Sequence, residues 1–136
     1  SWIVSIQWKN PSEMSQTTDS AQATLVDFET IEGVDCPCGI ARRAFEEASN
    51  GTFTLHTTTI TTDARTHYHR QLTEVYYVLE GLGDIELDGN RQPVKPGMAI
   101  HIPPGVRHRA VVAEGKEMTV IIFVTPSFDP SDEWFD

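Results

Sequence analysis

Four of the 5 histidines lie between residues 67 and 108, and three of them are spaced as metal ligands would be. His67 and His69 flank Tyr68, and in an extended chain residues two apart point to the same face, so both imidazoles can meet one ion. Glu74 follows five residues after His69, where a turn hands the chain to a new strand. His108 comes later, beyond Pro103-Pro104-Gly105, on another strand. Three neutral imidazoles and one carboxylate form a nitrogen and oxygen set suited to one divalent transition metal: Fe, Mn, Zn, Ni, Co or Cu. Four protein donors on a six-coordinate ion leave two adjacent positions for water, substrate or dioxygen.

The elements that must bring these residues together are strands. Short runs rich in Val, Ile, Thr, Phe and Tyr, broken by Gly, Pro, Asp and Asn, run through the sequence. They predict strands at Trp2–Trp8, Ala23–Phe28, Ile40–Glu46, Thr52–Thr62, Glu74–Leu79, Gly83–Leu87, Gln92–Val94, Met98–Ile102, Arg107–Ala113 and Met118–Thr125, a closed or two-sheet all-β architecture. Asp88-Gly89 signals a tight hairpin, and Pro96-Gly97 and Pro103-Pro104-Gly105 mark two further reversals. Asn10 to Gln22 is polar and reads as an exposed connection. The end, Pro126 to Asp136, reads as an extended tail whose pair Trp134-Phe135 docks either on its own barrel or on a second subunit.

Length and charge bound the alternatives. The 136 residues predict one domain, and 39% hydrophobic content suits a folded chain with one core. A net charge of −10 repels polyphosphate, which argues against nucleic acid as a partner. No run approaches the roughly 18 apolar residues of a membrane span. The chain reads as soluble, unexported and cytoplasmic.

The spaced residues resemble the two signature motifs of the cupin superfamily. The first is His67-Tyr68-His69, then Glu74, then Gly81 at the end of Val75-Tyr76-Tyr77-Val78-Leu79-Glu80-Gly81; the second is Gly97, Pro103, Gly105 and His108. The motifs span residues 61–112, and the flanking predicted strands extend the resemblance to most of a single domain over 1–136, with 126–136 as its tail. Two departures stand out: the glycine usual before the first histidines is absent, with Thr61 and Asp63 in that region, and Val112 replaces the Asn that often closes the second motif. Neither position is a metal ligand. The resemblance implies a small jelly-roll barrel, a double-stranded β-helix, with His67, His69, Glu74 and His108 converging on a metal inside it.

Other residues are candidates for the same cavity. Tyr76 shares the parity of Glu74, so on a regular strand its hydroxyl faces inward, either to meet a substrate or simply as part of an aromatic filling the barrel. His56 and His101 either line the cavity or sit on the surface, depending on strand parity, which a bulge inverts. Tyr76, His56 and His101 are the candidates for general acid or base. Arg42 and Arg43 are neighbours on a strand and point to opposite faces; one of them can reach the barrel mouth and pair with a carboxylate ligand, the alternative being a solvated or subunit-facing arginine. Cys36 and Cys38, with one residue between them, are awkwardly close for an unstrained disulfide and read as two free thiols in a loop.

Together these readings predict a metal-dependent enzyme acting on a small oxygen-rich molecule chelated at the metal. Its chemistry is either dioxygenase-like, which makes it an oxidoreductase, or Lewis-acid chemistry of the isomerase, lyase or decarboxylase kind. The alternative is a barrel that binds or senses a small molecule without turnover. The apolar first segment, Trp2, Ile3, Val4, Ile6 and Trp8, predicts a homodimer that covers it.

Overall fold

The computed structural model describes residues 3–8, as backbone, and 21–136. It contains eleven described strands: β1 (Ile3–Trp8), β2 (Ala21–Val26), β3 (Val34–Cys36), β4 (Gly39–Ala44), β5 (Thr54–Ile60), β6 (Thr73–Glu80), β7 (Gly83–Leu87), β8 (Asn90–Val94), β9 (Ala99–Ile102), β10 (His108–Val111) and β11 (Met118–Thr125). Six of them form one sheet in the order β3-β4-β5-β11-β6-β9, three form a second in the order β10-β7-β8, and β1 pairs with β2 as a separate two-stranded arm. All pairings are antiparallel. The architecture is the all-β jelly-roll barrel. Among the described residues no helix is long and apolar enough to cross a membrane.

The strands follow from alternation. On β5, Thr54, His56, Thr58 and Ile60 are buried, and on β11 Met118, Val120, Ile122 and Val124 are buried, every second residue in each case. With Val78, Ile85, Val94, Ile102 and Ala110 the apolar ones among them, Ile60, Met118, Val120, Ile122 and Val124, form the core. Asp88 and Gly89 both have positive φ, 48° and 83°, as a two-residue hairpin between β7 and β8 requires. Pro93, which has no N–H to offer a second neighbour, is accommodated because β8 is an edge strand.

Several boundaries differ from the sequence reading. The strand predicted at Ala23–Phe28 starts earlier and ends at Val26, because Asp27 caps a 3₁₀ turn over Phe28–Thr30, its side chain accepting from the Glu29 N–H at 2.9 Å. The strand predicted over Ile40–Glu46 stops at Ala44, where Phe45 turns the chain with φ of 72°. The predicted first strand finds its partner within the chain, in β2. Trp2, and the part of the polar connection from residue 10 to residue 20, lie outside the described residues.

The cysteines are a correction. Cys36 and Cys38 are joined by a disulfide, not free. Two residues along a strand span about 6.6 Å, but Pro37 and Cys38 form the turn between β3 and β4, which brings the two Cα atoms to 5.3 Å, well inside the disulfide range.

Candidate metal centre

His67 and His69 lie on the segment that enters β6, and the backbone of His67 pairs with that of His108 through two hydrogen bonds of 2.9 and 3.1 Å. Gly105 donates to the His69 carbonyl at 2.7 Å, tying the Pro103-Pro104-Gly105 reversal to the same segment. Tyr68 faces the other way, under the Arg107 guanidinium at 3.5 Å, so His67 and His69 share a side as their spacing predicts. Glu74 stands on the inner face of β6. His67, His69, Glu74 and His108 are all buried, and their donor atoms lie within 4.8 Å of one another.

The hydrogen bonds behind the imidazoles decide their chemistry. His67 Nδ1 donates to the Arg65 carbonyl at 2.8 Å, His69 Nδ1 to the Asp132 carbonyl at 2.7 Å and His108 Nδ1 to the Val106 carbonyl at 2.8 Å. A carbonyl oxygen only accepts, so each Nδ1 carries a hydrogen, and in the neutral ring Nε2 is the nitrogen with a lone pair to offer. Arg65 is itself anchored, its N–H donating to Pro37 in the β3–β4 turn at 2.7 Å. At the focus, His69 Nε2 and His108 Nε2 stand 3.0 and 2.9 Å from the same oxygen, Glu74 Oε1. The His108 contact is off the line a hydrogen bond needs, which leaves a fully buried nitrogen without a partner. A buried, unpaired nitrogen aimed at a carboxylate and two further imidazoles fits a metal ion better than any protein partner in reach.

The charges agree. Burial pushes the His67 pKa down to about 4, aided by the neighbouring His108 ring, so His67 is neutral at neutral pH. Burial pulls His69 the same way, but hydrogen bonding and charge from Glu74, with the Asp132 carbonyl, carry its pKa above the ordinary value. For Glu74 burial favours the neutral acid, yet the ring nitrogens of His108 and His69 more than reverse this and hold the carboxyl well below its usual range. Glu74 is therefore an ionised carboxylate in a dry setting.

Of the other candidates, Tyr76 and His56 face inward and His101 does not. Tyr76 is almost wholly buried, edge-on to His108 with centroids 6.1 Å apart, and burial raises its hydroxyl well above the ordinary pKa. His56 is buried, its Nε2 sits 3.0 Å from Thr54 Oγ1, and burial together with Arg43 lowers its pKa to about 4. His101 pairs in register with Val75, on the outer face of β6, and is exposed, so the structure does not bring it to the cluster. The bulge that could have inverted the parity lies at Thr119/Val120, beyond Tyr76. Arg43 points inward over the Phe128 ring at 3.9 Å, whereas Arg42 is exposed and reaches the Phe28 carbonyl.

The tail contributes what the sequence reading did not foresee. The Asp132 carboxylate accepts from the N–H groups of Arg70, Gln71 and Leu72, each at 2.9 Å, and from Trp134 Nε1 at 3.1 Å. Its carbonyl is the acceptor that orients His69. Trp134 pairs with the Tyr68 backbone and lies under Arg70 at 3.5 Å, so the aromatic tail docks on its own barrel. Glu133 follows, half-buried, with burial raising its carboxyl above the usual range. Nothing in Asp-Glu-Trp separates a capping acid from a solvated one, and the only signal was an aromatic pair beside acids.

A sequence-family profile described as a cupin domain matches residues 54–125. Among solved structures, a protein from Planctomyces limnophilus is 47% identical, with a TM-score of 0.74 over 82% of this chain and 95% of that one. Streptomyces Pac13, described as a nucleoside dehydratase, shares the fold at a TM-score of 0.65 and 19% identity, over 79% of this chain and 86% of its own. A Methanocaldococcus jannaschii protein is 44% identical over 43 residues, 32% of this chain and 34% of that protein. The chain thus spans between a third and two fifths of the length of the curated relatives it matches.

Proposed function

The chain belongs to the cupin-domain family, and from that premise we propose that it is a metal-dependent enzyme acting on a small oxygen-rich molecule. One observation carries the reading: three buried imidazoles, each with Nδ1 committed to a backbone carbonyl, turn Nε2 toward one ionised carboxylate. His67, His69, Glu74 and His108 would hold the ion. A divalent transition metal bound there supplies either dioxygen chemistry or Lewis-acid polarisation of a chelated substrate oxygen.

The chain's own residues do the rest. Glu74 serves as a ligand and is not free to act as a base. Tyr76, neutral and next to His108, offers a hydroxyl donor to a substrate oxygen. His56, neutral at pH 7, offers a ring nitrogen that can hold or accept a proton. The apolar wall of Ile102, Ile122 and Val124 excludes water from the reacting face. That the same fold hosts an elimination enzyme, the nucleoside dehydratase, keeps lyase chemistry beside dioxygenation.

The test is dioxygen uptake by metal-loaded protein against a panel of small hydroxy and keto acids, with product analysis. Uptake with product supports the dioxygenase branch and product without uptake the Lewis-acid branch. Tight binding of a panel member without product overturns the enzyme reading in favour of a sensing barrel.

A homodimer belongs to the same proposal. The outer face of the six-stranded sheet leaves Ile40, Tyr77, Leu79 and Phe123 exposed, apolar surface that a second copy would cover. Light scattering at micromolar concentration should show twice the chain mass; a monomer would contradict it.

A further inference from the structure

We propose that Arg43 is a carboxylate anchor inside the barrel, so that the substrate is a small acid with a carboxylate at a distance from the oxygen pair that chelates the metal. The inference rests on the metal-dependent reading above and narrows its substrate class.

Position comes first. In register, Arg43 opposes His56, His56 opposes Ile122, and Ile122 opposes Tyr76, which makes one cross-strand row on the inner face. The adjacent row is Thr54, Val124 and Glu74. Arg43 therefore shares a sheet face with Glu74, one row along the strands.

Its bonding is incomplete. Among the described residues Arg91 and Arg109 pair with Glu86, and Arg107 pairs with Asp136. Arg43 enters none of these ion pairs, and its Nε is shut off from solvent with no partner. Arg65 and Arg70 are also unpaired but exposed, where water serves them. A guanidinium carries five N–H donors in a planar fork, and leaving the buried Nε–H unmet costs free energy that a ligand can return.

The fork is held for use. The Phe128 ring lies beneath it at 3.9 Å and touches His56 at 5.4 Å between centroids, and Phe128 N–H donates to the buried Thr54 hydroxyl at 3.1 Å. Stacked on a fixed ring, the guanidinium presents an edge that matches a carboxylate in two parallel hydrogen bonds. Burial lowers the Arg43 pKa, and Glu133, Glu46 and Glu74 counter this without forming an ion pair with it. Arg43 is the one formal cation in its cross-strand row with His56, Ile122 and Tyr76, and a single carboxylate group matches its fork. A doubly charged phosphate would meet the field of Glu74 and Glu133 with nothing further to offset it.

The experiment has two arms, and metal content is measured in both. In chelator-treated protein, sodium formate at 100 mM should raise Tm by about 3 °C relative to equal sodium chloride. Arg43→Met, which keeps an apolar stem over Phe128, should lose the shift, and Arg43→Lys should keep less than half of it. An equal formate shift in Arg43→Met, no formate shift in the wild type, or a larger shift with phosphate overturns the anchor. In Mn(II)-loaded protein, malate should bind about tenfold more tightly than lactate, which lacks the second carboxylate, and Arg43→Met should erase that preference while lactate affinity and Mn(II) content stay unchanged. A preference that survives in Arg43→Met contradicts the proposal. Should the protein hold neither Mn(II) nor another divalent transition metal, the metal reading fails and the formate arm alone decides for or against Arg43.

Discussion

The inner face of the central strands changes character from one end of the barrel to the other. At one end Ile60 opposes Met118 and Val120 opposes Val78, and these residues have essentially no contact with water. Two rows along, the same strands present His56 and Tyr76, then Thr54 and Glu74, with His67, His69 and His108 closing over them. Strand period and burial are the same at both ends; the chemistry is not. The apolar end is held mainly by packing, with the buried Thr58 hydroxyl its one polar intrusion among the rows named, whereas the histidine end needs backbone carbonyls, a capping aspartate and a docked tail to hold polar groups in place. On the reading proposed above, stability resides mainly in the first and metal binding in the second, so substitutions at the two ends should separate.

The largest stability effect belongs to the apolar end. Ile60→Ala removes a side chain with no solvent exposure and should cost about 2–5 kcal/mol by chemical denaturation, with metal content unchanged. Equal loss of metal and stability would show that the two ends do not separate.

At the polar end, pH is the sharper probe. His56 has a pKa of about 4 folded against about 6.5 unfolded, so between these values the unfolded chain binds the proton and the folded one does not. Stability should be fully present above about pH 6.5 and fall as pH drops toward 4, by on the order of 3 kcal/mol from this residue. His56→Phe should flatten that part of the stability-pH profile; an unchanged slope would place the titration elsewhere.

The tail joins the two effects. Asp132→Ala strands three backbone N–H groups and should cost about 2 kcal/mol. Because the Asp132 carbonyl orients His69, metal affinity should fall about tenfold as well, readable by competition with a chelator. Loss of stability without loss of affinity would make Asp132 a cap alone. The smallest effect is expected at the exposed Arg107–Asp136 pair, where Asp136→Ala, which leaves Arg107 stacked on Tyr68, should leave both stability and metal content unchanged within error.

Much of this contrast was legible in the sequence because it rests on period two. His-Tyr-His on an extended segment, Glu74 and Tyr76 on one strand, and the Asp88-Gly89 hairpin are local patterns whose geometry does not depend on distant residues. His101 shows where such reading stops: without knowing that Val75 faces it, its parity could not be set. The three-residue β3 is too short to leave an alternating signal, and its turn decides whether Cys36 can reach Cys38. Asp132 and Phe128 act through contacts 60 or more residues away in the chain, on the His69 segment and Thr54, and no local pattern encodes that reach.

The central claim is that four residues at the polar end hold one metal ion, and elemental analysis of protein purified without added metal, wild type beside His69→Ala, tests it most directly. The account predicts close to one transition-metal ion per wild-type chain and loss of most of it in the variant, with the fold retained. Full occupancy in His69→Ala, or a wild-type chain that neither carries a divalent transition metal nor takes one up, would contradict it.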